Sequence, residues 1–396
     1  MARERSIGHD PRRMDAISAE SPSAWRDAPG TGLDFPYMVW ARTRSGAARF
    51  PLTQSGMPPA DAQVLGAAPP IEIGHAAVVL AEVERALARR FRVPPERVVA
   101  TLGASGGLHA SAWTWFGPGS RVVADTPSYE PFRALPRRLG ADLRVLERRL
   151  EDGWQVDPTH VRRLLGAGPG RGHVFLANPH NPTGVQLGRE RMTELAREAE
   201  RAGGLLVSCD LYGEYEPESE RVDAFRSAPN AVSIGSLTKA YGLGALRIGW
   251  IVLGEGVAAD VHRVRDATYL AWVDAPMASL RLGLAALERL PQLLEPYRVL
   301  TASVRPLWTK WLRETPGVRA FVPDHGIIAF PRIEGVADTF ALAEYLVKEH
   351  EVGVVPGEFF GMAGHVRVGC GLSADVMPEA LARLTRGIAA WQARRG

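Results

Sequence analysis

The chain is poor in cysteine, with only Cys209 and Cys370 in 396 residues, and the two sit in unrelated contexts. That excludes a disulfide framework and fits a reducing, cytoplasmic compartment. Long apolar runs are also missing. No stretch approaches the ~20 residues of a membrane-spanning helix, and the segment from Met1 to Asp10 has no apolar core of a signal peptide. No membrane partner is expected. Charge of one sign is scarce too: the net charge is +3, and the arginines are scattered among acids rather than gathered in a block. Nucleic acid is therefore not an expected partner. There is no internal repeat and no low-complexity tract. Lysine is nearly absent, occurring only as Lys239, Lys310 and Lys348. A chain that writes Arg by default still needs Lys where a primary amine does chemistry, because guanidinium stays protonated.

What remains is an ordinary globular composition, 46% hydrophobic and 23% charged, long enough for more than one domain. The first ~35 residues are polar and read as an arm. Asp34 to Arg44 reads as a short amphipathic helix, and the prolines at 58, 59, 69 and 70 mark an extended connector. Val78, Leu80, Val83, Leu87 and Phe91 recur at helical spacing. Short apolar runs then alternate with helical stretches: Arg121–Ala124, His173–Ala177, Leu205–Ser208, Ala231–Ile234 and Arg247–Val252 as strands, Glu190–Ala202 as the clearest helix. That alternation predicts an α/β fold with a mainly parallel sheet covered on both faces. Long helical patterns at Leu293–Arg313, Ala337–His350 and Pro378–Ala393, with strand-like Gly326–Pro331 and His365–Gly369, predict a smaller α+β domain.

Chemistry concentrates first in Ser236-Leu237-Thr238-Lys239-Ala240-Tyr241-Gly242-Leu243-Gly244-Ala245-Leu246-Arg247-Ile248-Gly249-Trp250, a Gly-rich loop after a predicted strand. Lys239 offers an amine for a cofactor aldehyde, while Ser236 and Arg247 offer a hydroxyl and a fixed positive charge suited to a phosphate. Thr101-Leu102-Gly103-Ala104-Ser105-Gly106-Gly107-Leu108 leads small residues into a helix, where free N–H groups can meet a phosphate. Asp125-Thr126-Pro127-Ser128-Tyr129-Glu130-Pro131 and Asn178-Pro179-His180-Asn181-Pro182-Thr183-Gly184 each follow a predicted strand, at the end where such sheets bind ligands. In Ser208-Cys209-Asp210-Leu211-Tyr212, an Asp closes an apolar strand and needs a partner to be tolerated there. His365-Val366-Arg367-Val368-Gly369 is a short strand with a central Arg.

Taken in this order, the motifs resemble the class I/II aminotransferases, pyridoxal-phosphate enzymes of fold type I, over roughly Asp34 to the C-terminus. In that family the phosphate-binding Arg stands eight positions after the Schiff-base Lys, the spacing of Lys239 and Arg247. The resemblance implies pyridoxal 5'-phosphate as cofactor, carried by Lys239. Ala104, Ser105, Gly106, Ser236 and Arg247 would hold its phosphate and Tyr129 would stack on its ring. Asp210 would pair with the ring nitrogen, Tyr212 and Asn181 with O3′. Arg367, with Asn181 and the backing of Gly56 in Leu52–Pro58, would hold the substrate carboxylate. It also implies amino-acid and 2-oxo-acid substrates, and a homodimer with active sites at the interface. A small domain would form from residues 36–70 and 295–396, and a large cofactor domain from 71–294, behind an arm over 1–35.

The chain departs from the family where many relatives carry a Tyr that reaches the other subunit's phosphate. Here the stretch is Ile71-Glu72-Ile73-Gly74-His75, with His75 as a possible replacement. For the side-chain pocket the candidates are Tyr37, Trp40, Tyr269, Trp272 and Phe360, suited to an apolar or aromatic substrate, or Arg263 and Arg265, suited to an acidic one. Transamination is the leading expectation. A lyase or cyclase on the same fold would share every cofactor residue.

Overall fold

The computed structural model describes residues 35–67 and 74–394; all but the last residue of the arm expected over 1–35, the connector prolines 69 and 70, and Ile71–Ile73 lie outside the described residues. Its centre is a seven-stranded sheet of β1 (Val98–Leu102), β2 (Arg121–Thr126), β3 (Asp142–Glu147), β4 (Gly172–Ala177), β5 (Gly203–Cys209), β6 (Ala231–Ser236) and β7 (Ile248–Leu253). The spatial order is β1-β7-β6-β5-β4-β2-β3, and β7 alone runs antiparallel to its neighbours. Around it, in chain order, lie α1 (Pro36–Thr43), α2 (Ala77–Phe91), α3 (Gly103–Trp115), α4 (Pro158–Leu165), α5 (Arg189–Arg201) and α6 (Val261–Ala271).

The alternation of side chains along each strand assigns the two faces. Val122, Ala124, Phe175, Ala177, Val207, Val232 and Ile234 point to one face and pack with Leu108 and Ala112 of α3 and Val264 of α6. Val123, Val174, Leu176, Leu206 and Ala231 point to the other, against Val161 of α4 and Met192, Leu195 and Ala199 of α5. Strands buried on both faces read as continuous apolar runs, which is why β2, β4, β5 and β6 are visible in the sequence. In α2 the stripe Val79, Val83, Leu87 and Phe91 is buried, one residue out of phase with Val78, which is exposed.

A second layer of structure gathers the C-terminal third with the N-terminal segment. It contains α7 (Arg305–Glu314), α8 (Thr339–His350) and α9 (Met377–Ala393), and a small antiparallel sheet in the order β8 (Ile328–Ala329), β10 (Val366–Gly369), β9 (Val355–Pro356). Phe50–Pro51 pairs in parallel with Val352–Gly353, and the Gly369 N–H donates to the Leu52 carbonyl at 2.8 Å. The helix expected over Leu293–Arg313 is broken into Leu290–Leu293, Glu295–Ser303 and α7. Pro291, Pro296 and Pro306 each fall in a first turn, because proline starts a helix readily and cannot continue one.

Candidate active site

One edge of the sheet collects the chemistry. The segments leaving β2, β4, β5 and β6 carry Tyr129, Asn181, Asp210 with Tyr212, and Lys239. Because β7 is reversed, Arg247 reaches the same edge from the residue before its strand. A cavity of about 520 Å³ opens there, and Ala104, Ser105, Tyr129, Asn181, Tyr212, Lys239 and Arg247 all line it.

Lys239 is half-buried, and its Nζ donates to Ser55 Oγ at 2.8 Å. The Met57 N–H donates to the Lys239 carbonyl at 2.8 Å, so Gly56 lies flat against the lysine. A Cβ on Gly56 would meet Lys239 Cδ at 3.0 Å. Burial, reinforced by the positive charges of Arg367 and Arg247, pushes the ammonium pKa down to about 8.

Arg247 stands at one end of the cavity in the left-handed region, with φ of 55°. It donates to the carbonyls of Leu102 (3.1 Å) and Gly244 (3.2 Å) and has no carboxylate partner among the described residues. Beside it α3 begins. The N–H groups of Ala104, Ser105 and Gly106 lie in the first turn, where no helical carbonyl is available to them. Ser236 Oγ donates to Thr238 Oγ1 at 2.8 Å and accepts from the Thr238 N–H, which fixes the turn into the lysine loop. Gly106 itself is packed: a Cβ there would meet the Trp272 ring at 3.2 Å. Gly103 is the position that admits Arg247. Its φ is +68°, and a Cβ would sit 2.5 Å from Arg247 Nη2. Gly103→Ala is expected to displace the guanidinium and weaken binding of the phosphate-bearing cofactor roughly 10- to 100-fold, the worth of a charge-assisted contact of about 1.5–3 kcal/mol. Fluorescence titration with the cofactor measures it.

In the middle of the cavity edge, Asp210 accepts from Ser208 Oγ (2.5 Å), the Ala224 N–H (2.9 Å) and Ser233 Oγ. Despite these bonds, burial and then the neighbouring Asp223 charge hold its carboxyl well above the usual range. Such a group becomes a stable anion only beside a cation. Tyr212 follows two residues on. Its hydroxyl has no hydrogen-bond partner among the described residues, and burial pushes its pKa up to about 12.

Arg367, on the central strand β10, closes the other end and is almost fully buried. Its Nη1 donates to Asn181 Oδ1 at 3.0 Å, and Nη2 donates to the Tyr37 hydroxyl (2.7 Å) and the Thr53 carbonyl (3.0 Å). A guanidinium has no acceptor, so Asn181 must turn its oxygen toward it, which leaves Nδ2 free to donate. The Arg367 Nε has no partner, and no carboxylate pairs with the side chain among the described residues.

The Tyr37 hydroxyl comes from α1, which is held over the cavity by aromatic contacts of Tyr37 with Tyr129, Phe359 and Phe360 and of Trp40 with Phe359. Glu130 accepts from the Tyr37 N–H at 3.1 Å, at the start of that helix. A helix N-terminus favours the carboxylate, yet burial outweighs it and lifts the Glu130 pKa to about 8, against the Tyr37 N–H and Arg133, which lower it. The folded protein thus keeps a proton that the unfolded chain loses near pH 4.5. Stability from this group is complete below that value and is lost as pH rises through about 8. Glu130→Gln keeps the acceptor and is expected to flatten the fall in thermal midpoint over that window; calorimetry of both proteins checks it.

Other expectations from the sequence are corrected here. Arg263 and Arg265 do not line the cavity. Arg263 binds Asp260 and the Thr114 carbonyl, and Arg265 pairs twice with Glu84. Of the aromatic candidates Tyr37 lines the cavity, and Phe360 lies under the Arg367 guanidinium at 5.2 Å. Trp40, Tyr269 and Trp272 do not line it, and Tyr269 is half exposed. His75, whose expected contact is with the other subunit's phosphate, is exposed and does not line the cavity of its own chain. Met38 and Arg42 of α1, unnoticed in the sequence, do line it, as does Ser55.

The family profile of class I and II aminotransferases matches residues 58–384. Capreomycidine synthase of Streptomyces vinaceus is 30% identical over 307 residues, 76% of this chain and 77% of that one. Arginine–pyruvate transaminase of Pseudomonas aeruginosa is 29% identical over 299 residues, 74% and 75% of the two chains. A pyridoxal-phosphate-dependent aminotransferase from Streptococcus suis superposes with a TM-score of 0.79 at 22% identity, covering 89% of this chain and 96% of that one. The residues present fit pyridoxal phosphate. A carboxylate-free Arg247 beside open helix N–H groups suits its phosphate, a buried Asp210 without a cation suits its ring nitrogen, and the Lys239 amine faces the space between. The chain belongs to the class I and II aminotransferase family, with the fold type I architecture and pyridoxal phosphate as its cofactor.

Proposed function

We propose that the protein moves an amino group between an L-amino acid and a 2-oxo acid. The observation that carries this reading is the placement of the Lys239 amine between Arg247 and Arg367, two arginines with no carboxylate partner among the described residues. A substrate with one anionic end on a cofactor with another would satisfy both.

When bound, pyridoxal phosphate supplies an electrophilic aldehyde and an electron-withdrawing ring. The chain's residues do the rest. Arg247, Ser236 and the N–H groups of Ala104, Ser105 and Gly106 hold the phosphate. Asp210 would hold the ring nitrogen, Tyr129 would cover the ring, and Tyr212 and Asn181 would pair with O3′. Arg367 and Asn181 fix the substrate carboxylate against Gly56, which sets the direction of the Cα–H bond. Lys239 Nζ would anchor the cofactor and, once displaced by the substrate amine, would be placed to take and give back the Cα proton. A basicity near pH 8 suits an amine that must do both. Ser55 Oγ holds that amine in place.

A lyase or cyclase would use the same residues, and the similarity to a protein described as a synthase favours weighing it. Against an arginine-type side chain stands the cavity wall, which carries Arg42 and no carboxylate among the described residues. Half-reactions with a panel of amino acids decide between them. Stoichiometric 2-oxo acid with conversion of the cofactor to its amine form supports transamination; consumption of the amino acid without either sinks it. We also propose a homodimer, supported by the exposed Val78, Trp113, Leu270 and Val273, and a cytoplasmic location, supported by two buried free cysteines. No described helix is long and apolar enough to cross a membrane.

A further inference from the structure

Three side chains away from the cavity converge on one point. Glu216 and Glu220 follow the segment that carries Asp210 and Tyr212, and His325 precedes β8. His325 Nε2 lies 3.0 Å from Glu220 Oε2 and 3.6 Å from Glu216 Oε2, and the three atoms are all within 4.8 Å of one another. Glu216 is the telling member. Its side chain is 5% exposed, yet no hydrogen bond reaches its carboxylate among the described residues. Arg305 lies nearby, but its Nε and Nη2 donate to the carbonyls of Gly326 and Pro323, and no ion pair joins it to Glu216 among the described residues.

We propose that Glu216, Glu220 and His325 bind a zinc-like divalent cation. Donors around a tetrahedral zinc with bonds of about 2.1 Å stand roughly 3.4 Å apart, so the two distances from His325 need only a few tenths of an ångström of adjustment, and the two carboxylates need to close to that spacing from within 4.8 Å. One imidazole nitrogen with two carboxylates suits zinc or manganese better than magnesium or calcium, which prefer oxygen alone. The cation's position has a mechanical meaning. Glu216 and Glu220 belong to the stretch continuous with Tyr212, whereas His325 leads into β8, which is hydrogen-bonded to the strand of Arg367. A cation there would clasp the two halves of the cavity edge together from behind. The proposal does not rest on the transamination reading.

The test uses untagged protein loaded with pyridoxal phosphate and stripped with a chelator. Calorimetric titration with zinc chloride is expected to show one equivalent bound and a raised thermal midpoint. His325→Ala and Glu220→Gln, both at partly exposed positions, are each expected to weaken binding by more than ~10-fold, as loss of a ligand must exceed the cost of losing a supporting contact. Glu216→Gln tests the buried ligand, but the partly exposed pair keeps the test valid if that variant fails to fold. No zinc binding, zinc binding unchanged in both variants, or an equal response to calcium would overturn the proposal. A thermal midpoint that does not respond to zinc would overturn it as well and leave the cluster as a histidine–carboxylate contact.

Discussion

Lys239→Arg is expected to abolish covalent attachment of pyridoxal phosphate and to reduce turnover below detection. Arginine keeps the charge and most of the length, so the cavity should remain filled and the fold intact. It cannot condense with an aldehyde, and it does not release its proton near neutral pH. Lost proton transfer alone costs about 10²- to 10⁴-fold, and loss of the anchor comes on top. The measurement is mass spectrometry after borohydride reduction, in which wild type gains the mass of the cofactor and the variant does not. A variant that still gains it would place the attachment on Lys310 or Lys348, the two other lysines in the chain. Both are exposed, each beside a glutamate at 3.9 Å. The Ser55 contact adds a finer expectation: Ser55→Ala should leave attachment in place while slowing the steps that need the amine positioned.

Arg367→Lys comes next in expected size. The guanidinium fits Asn181, Tyr37 and the Thr53 carbonyl at once, with Phe360 and Tyr37 on its faces. An ammonium keeps the charge but loses the fork that holds a carboxylate by two bonds. The loss of a buried charged hydrogen bond, about 2–4 kcal/mol, translates into a fall in kcat/KM of roughly 30- to 1000-fold. The fall should appear for amino acid and oxo acid alike, because both present a carboxylate, while cofactor affinity stays near wild type. A fall confined to one substrate would mean that Arg367 reads a side chain instead.

The site was readable in the sequence where one residue's chemistry is backed by neighbours in the chain. Lys239 and Arg247 share a single loop, Asp210 and Tyr212 a single turn, and Asn181 a short proline-rich stretch after β4. Ser55 could not be found that way, because it meets Lys239 across 184 residues. Gly103 lies inside a segment that was read for its small residues, but the reason for it is Arg247, which approaches its Cα from another strand. Arg263 and Arg265 misled for the opposite reason: in a chain rich in arginine, position says little until the partner is known, and Asp260 and Glu84 already occupy them. In the fold, β3 escaped notice because an edge strand leaves its residues exposed, Val145 among them, and breaks the apolar run. The strand β1 is masked by the Pro94-Pro95 turn before it and the helix that follows without a gap.

The reversal of β7 has a consequence for the order in which the molecule assembles. With β6 and β7 antiparallel and Ser236 opposite Gly249, the lysine loop is the tip of a hairpin. Closing such a short loop costs little chain entropy. The contact of Arg367 with Asn181, by contrast, spans 186 residues and depends on a strand near the end of the chain. The hairpin brings Arg247 to the start of α3, 145 residues back in the chain, so every residue of the phosphate end lies at or before β7, whereas the carboxylate end waits for the last third of the chain to arrive. A ribosome that has released β7 has already emitted both the amine and the phosphate-binding arginine. The nascent chain can recognise its cofactor before it can recognise its substrate.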